Sequence, residues 1–160
     1  MNRNTFIEKV TESEDTLYRV AKTILIHDED CEDAVQEAIL KAYNKLSTLK
    51  KEQYFKTWLI RILLNECYHL KRKETPKIPY DECFEIVKNE EKTDYNDLYL
   101  AIRNLPEKIK ITIVLYYVEG YSIDEIKQIL RIPSGTVKSR LSKGRKLLKM
   151  KLENMEEIYE

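Results

Sequence analysis

Residues able to do chemistry fall into a few clusters, and most can be set aside by spacing alone. Cys67 and His69 are close in sequence, but two ligands do not make a metal site, and no second pair completes one. Cys31, Cys67 and Cys83 are an odd number with no C-x-x-C pair, so neither a disulfide framework nor a zinc ribbon is expected. No Gly-rich phosphate loop or nucleophile elbow occurs. The chain therefore reads as a non-enzyme without metal or cofactor.

The charges carry more information. Lys+Arg and Asp+Glu are 28 each, for a net charge of zero, yet they are segregated. Between His27 and Leu40 stand Asp28, Glu29, Asp30, Glu32, Asp33 and Glu37 with no base, whereas Ile126 to Leu152 holds nine bases and no acid. Lys71-Arg72-Lys73 forms a third block. Local fields select partners more than a net charge does. One such block would be an ordinary solvated face; three on separate helical patterns imply several macromolecular contacts.

The elements that position these blocks are helices. Only 3 Gly and 4 Pro occur in 160 residues, 42% are hydrophobic, and an all-α chain is predicted. Apolar residues recur at helical spacing over Asp15 to Ile26, Glu32 to Leu46 and Phe55 to Arg72. Pro76 and Pro79 then open a polar, weakly periodic stretch that reads as a linker. Periodicity resumes near Asp94 and runs to about Met150. The expected organisation is two small helical domains, 1–73 and 94–160, joined by a linker at 74–93. No run is apolar enough to span a bilayer, and the N-terminus lacks a signal-peptide core, so a cytoplasmic protein without stable membrane insertion is expected.

The second unit holds the clearest local signal. Pro106 suits the first turn of a helix through Ile109, Ile113 and Tyr116 or Tyr117 that stops at Gly120. Ser122-Ile-Asp-Glu125 is a capping box opening a short helix with Ile123, Ile126, Ile129 and Leu130 inward. Pro133 ends that turn and Ser134 is positioned to cap the next helix, with Val137, Leu141 and Leu148 inward. A helix, a short turn and a basic helix make a helix-turn-helix for the major groove. Lys138, Ser142, Arg145 and Lys149 share one face, and Ser139, Lys143 and Lys146 adjoin it. Lys138, Ser139, Ser142 and Lys143 are base-edge candidates; Arg140, Arg145 and Lys146 suit phosphates.

The third helix of the first unit differs. Thr57, Arg61, Asn65, Tyr68 and Arg72 fall on one side, with Tyr54, Phe55 and Trp58 interleaved. Rings stack on unpaired bases while cations track the backbone, which suits a single strand. Phe55 and Leu59 are better explained as core, while Trp58 and Tyr68 fit either role.

Together these segments resemble a family. Asp30-Cys-Glu-Asp-Ala-Val-Gln-Glu37, followed by Phe55-Lys-Thr-Trp-Leu-Ile-Arg-Ile-Leu-Leu-Asn65 and a basic stop, resembles the second region of bacterial sigma factors. Gly120-Tyr-Ser-Ile-Asp-Glu-Ile126 and Gly135-Thr-Val-Lys-Ser-Arg-Leu141 resemble their fourth region, and the short two-region plan looks like the extracytoplasmic-function group. The resemblance implies that Asp33, Gln36 and Glu37 dock on core RNA polymerase. Trp58, Arg61, Asn65, Tyr68 and Arg72 would hold the −10 element; Lys138, Ser139, Arg140, Ser142, Lys143 and Arg145 would read the −35 element. Core polymerase, promoter DNA and an anti-sigma factor are the implied partners. Two positions depart from the family: Lys127 replaces a small alanine, and Cys31 replaces an alanine. A stand-alone helix-turn-helix regulator would explain the basic helix equally well, but not the acidic and aromatic-basic ones.

The basic helix yields a test. Lys138→Ala should relax preference at one −35 position, since a good base-edge pair discriminates by about 1–3 kcal/mol. Arg145→Ala should weaken all sequences alike and lower the salt slope by about one unit. Polymerase-bound protein on a −35 mutant panel at two salt concentrations separates these; uniform loss from Lys138→Ala with altered preference from Arg145→Ala would reverse the assignment.

Overall fold

The computed structural model describes residues 1–73 and 94–159, and no strand occurs among the described residues. The first unit is a three-helix assembly: α1 (Arg3–Ile24), α2 (Asp28–Asn44) and α3 (Phe55–Lys73), the last two joined through short 3-10 turns at Leu46–Thr48 and Glu52–Tyr54. Each helix packs against the other two. The buried positions follow the helical period: Leu17, Val20, Ala21 and Ile24 on α1, Ala34, Val35, Ala38 and Ala42 on α2, and Phe55, Leu59, Ile60 and Leu63 on α3. Small residues on α2 let its backbone approach its neighbours closely, while large side chains on α3 fill the centre. Each such large side chain contributes about 1.5–3 kcal/mol by leaving water.

Helix α1 begins far earlier than the expected Asp15. The Asn2 side chain accepts the Thr5 amide at 2.8 Å and caps it, and Phe6, Val10 and Ser13 are buried. Two inward apolar residues in three turns, with Ile7 facing out, are a weak periodic signal. Phe6 is nonetheless anchored edge-on against Phe55, with ring centroids 5.8 Å apart. Helix α2 likewise starts at Asp28, so its first turn is Asp28, Glu29 and Asp30, placed where the helix dipole favours anions. The expected linker, 74–93, lies outside the described residues.

The second unit comprises α4 (Asp94–Arg103), α5 (Glu107–Ile113), α6 (Ile123–Leu130) and α7 (Ser134–Tyr159). Helix α5 continues into a π-turn at Val114–Val118, in which the Glu119 amide donates to the Val114 carbonyl at 3.0 Å. Gly120 ends it with φ +75, as a left-handed stop requires. Tyr116 is the inward one of the tyrosine pair and Tyr117 faces out.

The helix-turn-helix forms as expected. The Ser122 hydroxyl accepts the Glu125 amide and the Glu125 carboxylate accepts the Ser122 amide, both at 3.1 Å. Ile126, Ile129, Val137 and Leu141 are buried where α6 meets α7. Two local details differ. Arg131 ends α6 in the left-handed region at φ 55, an uncommon place for a long side chain. Ser134 is the first helical residue, not the cap: the Pro133 carbonyl accepts the Thr136 and Val137 amides, so proline stands just outside the helix.

Gly144 is a packing residue that periodicity does not reveal. A Cβ there would sit 2.6 Å from Ile113 Cγ1 and 3.0 Å from Ile109 Cγ2, so α7 crosses α5 at the glycine. Gly144→Ala should therefore destabilise by about 1–2 kcal/mol, overpacking of about 1–3 kcal/mol outweighing a helix-propensity gain of up to about 1 kcal/mol. Urea denaturation followed by circular dichroism measures it; a stabilised variant would mean that Ile113 gives way freely.

Candidate nucleic-acid interface

Burial on both sides leaves α2 with one exposed face. Asp33, Gln36 and Glu37 lie on it, all exposed, and Leu40 continues the row at 55% exposure with Tyr43 beyond. Leu40 lies one heptad from Asp33, so an apolar anchor sits beside the acids. Both apolar residues were missed in the sequence because period alone does not distinguish an outward leucine from an inward one.

On α3 the expected stripe survives in part. Asn65 and Arg72 are exposed; Trp58, Arg61 and Tyr68 are half-buried. Thr57 is not available: it is buried and its hydroxyl donates to the Tyr54 carbonyl at 3.0 Å. Phe55 is core, and Trp58 leans on it with centroids 6.0 Å apart. Burial pushes the Tyr68 hydroxyl up to about 12, with Glu107 adding to the effect, so the phenol stays a proton donor. The Arg72 guanidinium donates to the Tyr68 carbonyl at 3.2 Å. Opposite the stripe, buried Glu66 pairs with Lys41 and ties α3 to α2. A glutamate one residue from the middle of an exposed stripe carried no such signal.

Arg61 faces the second unit. It lines a cleft of about 530 Å³ with Lys50, Tyr54 and Trp58 on one wall and Lys127, Gln128 and Arg131 on the other. Burial, and then the nearby Arg131 charge, lowers the Arg61 pKa from its usual value. Lys127, which departs from the family pattern, is exposed on this wall and lies outside the core.

On α7, Lys138, Ser139, Lys143 and Arg145 are exposed; Arg140 and Ser142 are half-buried. The Ser139 hydroxyl donates to the Thr136 carbonyl at 3.2 Å, and Arg145 Nη1 donates to the Tyr117 hydroxyl at 3.1 Å. Arg145 is thus pinned to the outer wall of the π-turn, and Lys138 projects freely from the first helical turns.

Comparison with known proteins assigns the class. Residues 10–76 match the Sigma-70 region 2 family and residues 95–148 match Sigma-70, region 4. That pairing defines a two-region sigma factor. Among relatives, the chain is 30% identical to the ECF RNA polymerase sigma factor SigW of Bacillus subtilis, covering 96% of this chain and 92% of that one. It is also 30% identical to the RNA polymerase sigma factor SigV of Bacillus subtilis, over 89% and 88% of the two chains. This chain accordingly belongs to the ECF RNA polymerase sigma factors, which direct transcription initiation. Its fold is that of the sigma factor RpoE in its complex with the anti-sigma factor NepR from Bartonella quintana (TM-score 0.74, 23% identity, 93% of this chain and 97% of that one). CnrH, in complex with the cytosolic domain of CnrY, is equally alike, with TM-score 0.74, 23% identity and coverage of 96% and 90%.

No group of three or more His, Cys, Asp or Glu side chains suited to a metal ion occurs among the described residues, and no described helix is long and apolar enough to cross a membrane. Cys31 and Cys67 are buried core thiols. Burial raises them to about 11 and about 12 respectively. At pH 8 both thus remain protonated, and their alkylation should run at least about a hundredfold slower than in the unfolded chain. Mass mapping of the two peptides after iodoacetamide treatment checks this; rapid native labelling of either would show an accessible thiolate.

Proposed function

We propose that the exposed face of α2 docks on core RNA polymerase through Asp33, Gln36 and Glu37, with Leu40 as the apolar anchor. Trp58, Arg61, Asn65, Tyr68 and Arg72 of α3 hold the melted −10 strand: the rings stack on bases, the cations track phosphates, and Asn65 reaches a base edge. Lys138, Ser139, Ser142 and Lys143 meet −35 base edges from the first turns of α7, while Arg140 and Arg145 contact phosphates. The chain performs no catalysis and uses no cofactor; chemistry belongs to the polymerase. It works in the cytoplasm, where polymerase is. An anti-sigma factor is a further partner, by likeness to RpoE with NepR.

One observation supports the reading: two helices packed against each other carry rows of different chemistry, an exposed acidic-apolar row on α2 and a partly exposed aromatic-cationic row on α3. A stand-alone regulator needs neither.

Run-off transcription with core polymerase on genomic fragments tests it. Asp33→Ala/Gln36→Ala should impair assembly at unchanged helicity. Arg61→Ala and Asn65→Ala should slow opening of duplex promoters about tenfold, equivalent to ~1.4 kcal/mol in the barrier, and a pre-melted bubble should restore the rate. Tight, specific promoter binding by the free chain, with no response to polymerase, would support the regulator instead.

A further inference from the structure

The cleft of about 530 Å³ between α3 and α6 has a lining that the DNA-reading rows do not account for. One wall, from α3 and the connection before it, carries Lys50, Tyr54, Trp58 and Arg61; the other, from the end of α6, carries Lys127 and Arg131. Lys127 and Arg131 belong neither to the row on α3 nor to the row on α7. No Asp or Glu among the described residues lines the cleft, and none of the four cations forms an ion pair with another described residue. Like charges on facing walls raise one another's energy. Burial and the Arg131 charge accordingly lower the Arg61 pKa from its usual value. An anion seated between the walls removes that cost.

We propose that this cleft binds a free nucleotide, a nucleoside di- or triphosphate whose base lies against Tyr54 and Trp58 and whose phosphates are held by Arg61, Lys127 and Arg131. The proposal goes beyond the reading of α3 as the strand-holding helix and stands without it, because two of the three phosphate partners lie on α6.

Three observations carry it. The first is the joining of rings to unpaired cations. Trp58 is half-buried with Phe55 behind it, ring centroids 6.0 Å apart, so its ring is braced where it lines the cleft. A base stacks on such a ring, whereas an inorganic anion gains nothing from it. Gln128, exposed on the α6 wall, offers an amide donor and acceptor to a base edge. The second is size: small-ligand sites span about 300–1,000 Å³, and this cleft falls inside that range. The third is the backbone of Arg131, which ends α6 at φ 55 and ψ 49. Glycine or asparagine takes that left-handed conformation at lowest cost. An arginine held there against its own backbone preference, beside a cleft, marks a position kept for its side chain.

Titration of the full chain with ATP in EDTA tests the site, since no carboxylate in the lining would hold a divalent cation. Emission of Trp58, the one tryptophan, and calorimetry are the readouts. ATP should quench Trp58 saturably and bind at least about tenfold more tightly than adenosine or inorganic triphosphate, each of which supplies part of the contacts. Lys127→Ala and Arg131→Gly should each weaken ATP about tenfold, as loss of one charge-assisted hydrogen bond would. Both positions are exposed, and Arg131→Gly relieves the left-handed backbone, so its melting temperature should not fall and lost binding is not lost folding. A short single-stranded DNA of mixed sequence should bind both variants as it binds the parent.

Absence of saturable quenching overturns the proposal. So does adenosine or inorganic triphosphate binding as tightly as ATP, or parental ATP affinity in both α6 variants. Equal weakening of the single strand by Lys127→Ala and Arg131→Gly also overturns it, because the α6 wall would then serve the strand. The strand-holding role is judged separately by Arg61→Ala on the bubble template, so either reading can fail alone.

Discussion

The packing of α3 on several sides at once governs the rest of the molecule. α1 and α2 cover its apolar faces, burying Phe55, Leu59, Ile60 and Leu63. A helix turns about 100° per residue, so a helix covered this far keeps a single narrow stripe for other work. Trp58, Arg61, Asn65, Tyr68 and Arg72 lie along that stripe, with Lys56, His69, Lys71 and Lys73 also exposed on the helix. Each is held by a rigid helix on a packed core, which keeps the rings and cations in fixed register. The same packing turns the acidic row of α2 outward, since Ala34, Val35 and Ala38 are committed to the core.

Much of this was legible in the sequence because it is local. The capping box needs only Ser122 and Glu125, and the left-handed stop needs only Gly120. The buried set on α3 follows from apolar spacing. What escaped was written in few residues or across long distances. The first half of α1 buries just Phe6, Val10 and Ser13, too sparse for a period to emerge. Gly144 reads as a helix weakener until its neighbour Ile113 is seen. Arg131 reads as one more base, though it also takes a left-handed backbone conformation. The partners of Arg19 and Lys71 lie 100 and 36 residues away, and nothing in a charge pattern pairs them.

Segregated charge gains its meaning from the packing of the two units. With 28 charges of each sign, the chain could have scattered them and stayed soluble. Instead the bases gather on α7 and in the last turn of α3, and the acids on the first turns of α2. Between the units the basic surfaces of α3 and α6 oppose each other while the acidic row of α2 remains turned to solvent. Trp58 and Arg61 of α3 thus share one cleft with Lys127 and Arg131.

The local geometry of each unit is fixed by its own core: Leu17, Leu59 and Leu63 in one, Ile113, Ile126 and Val137 in the other, all essentially without solvent exposure. The contact between the units is of another kind. It sets half-exposed Arg19 against the buried Glu119 side chain and one basic cleft wall against another, beside buried apolar residues of both units that belong to one continuous cluster. Ion pairs exchange readily with water and with competing charges, and apolar cores do not. The ion pairs between the units are thus the most readily exchanged part of their contact, and the shared apolar cluster is the least.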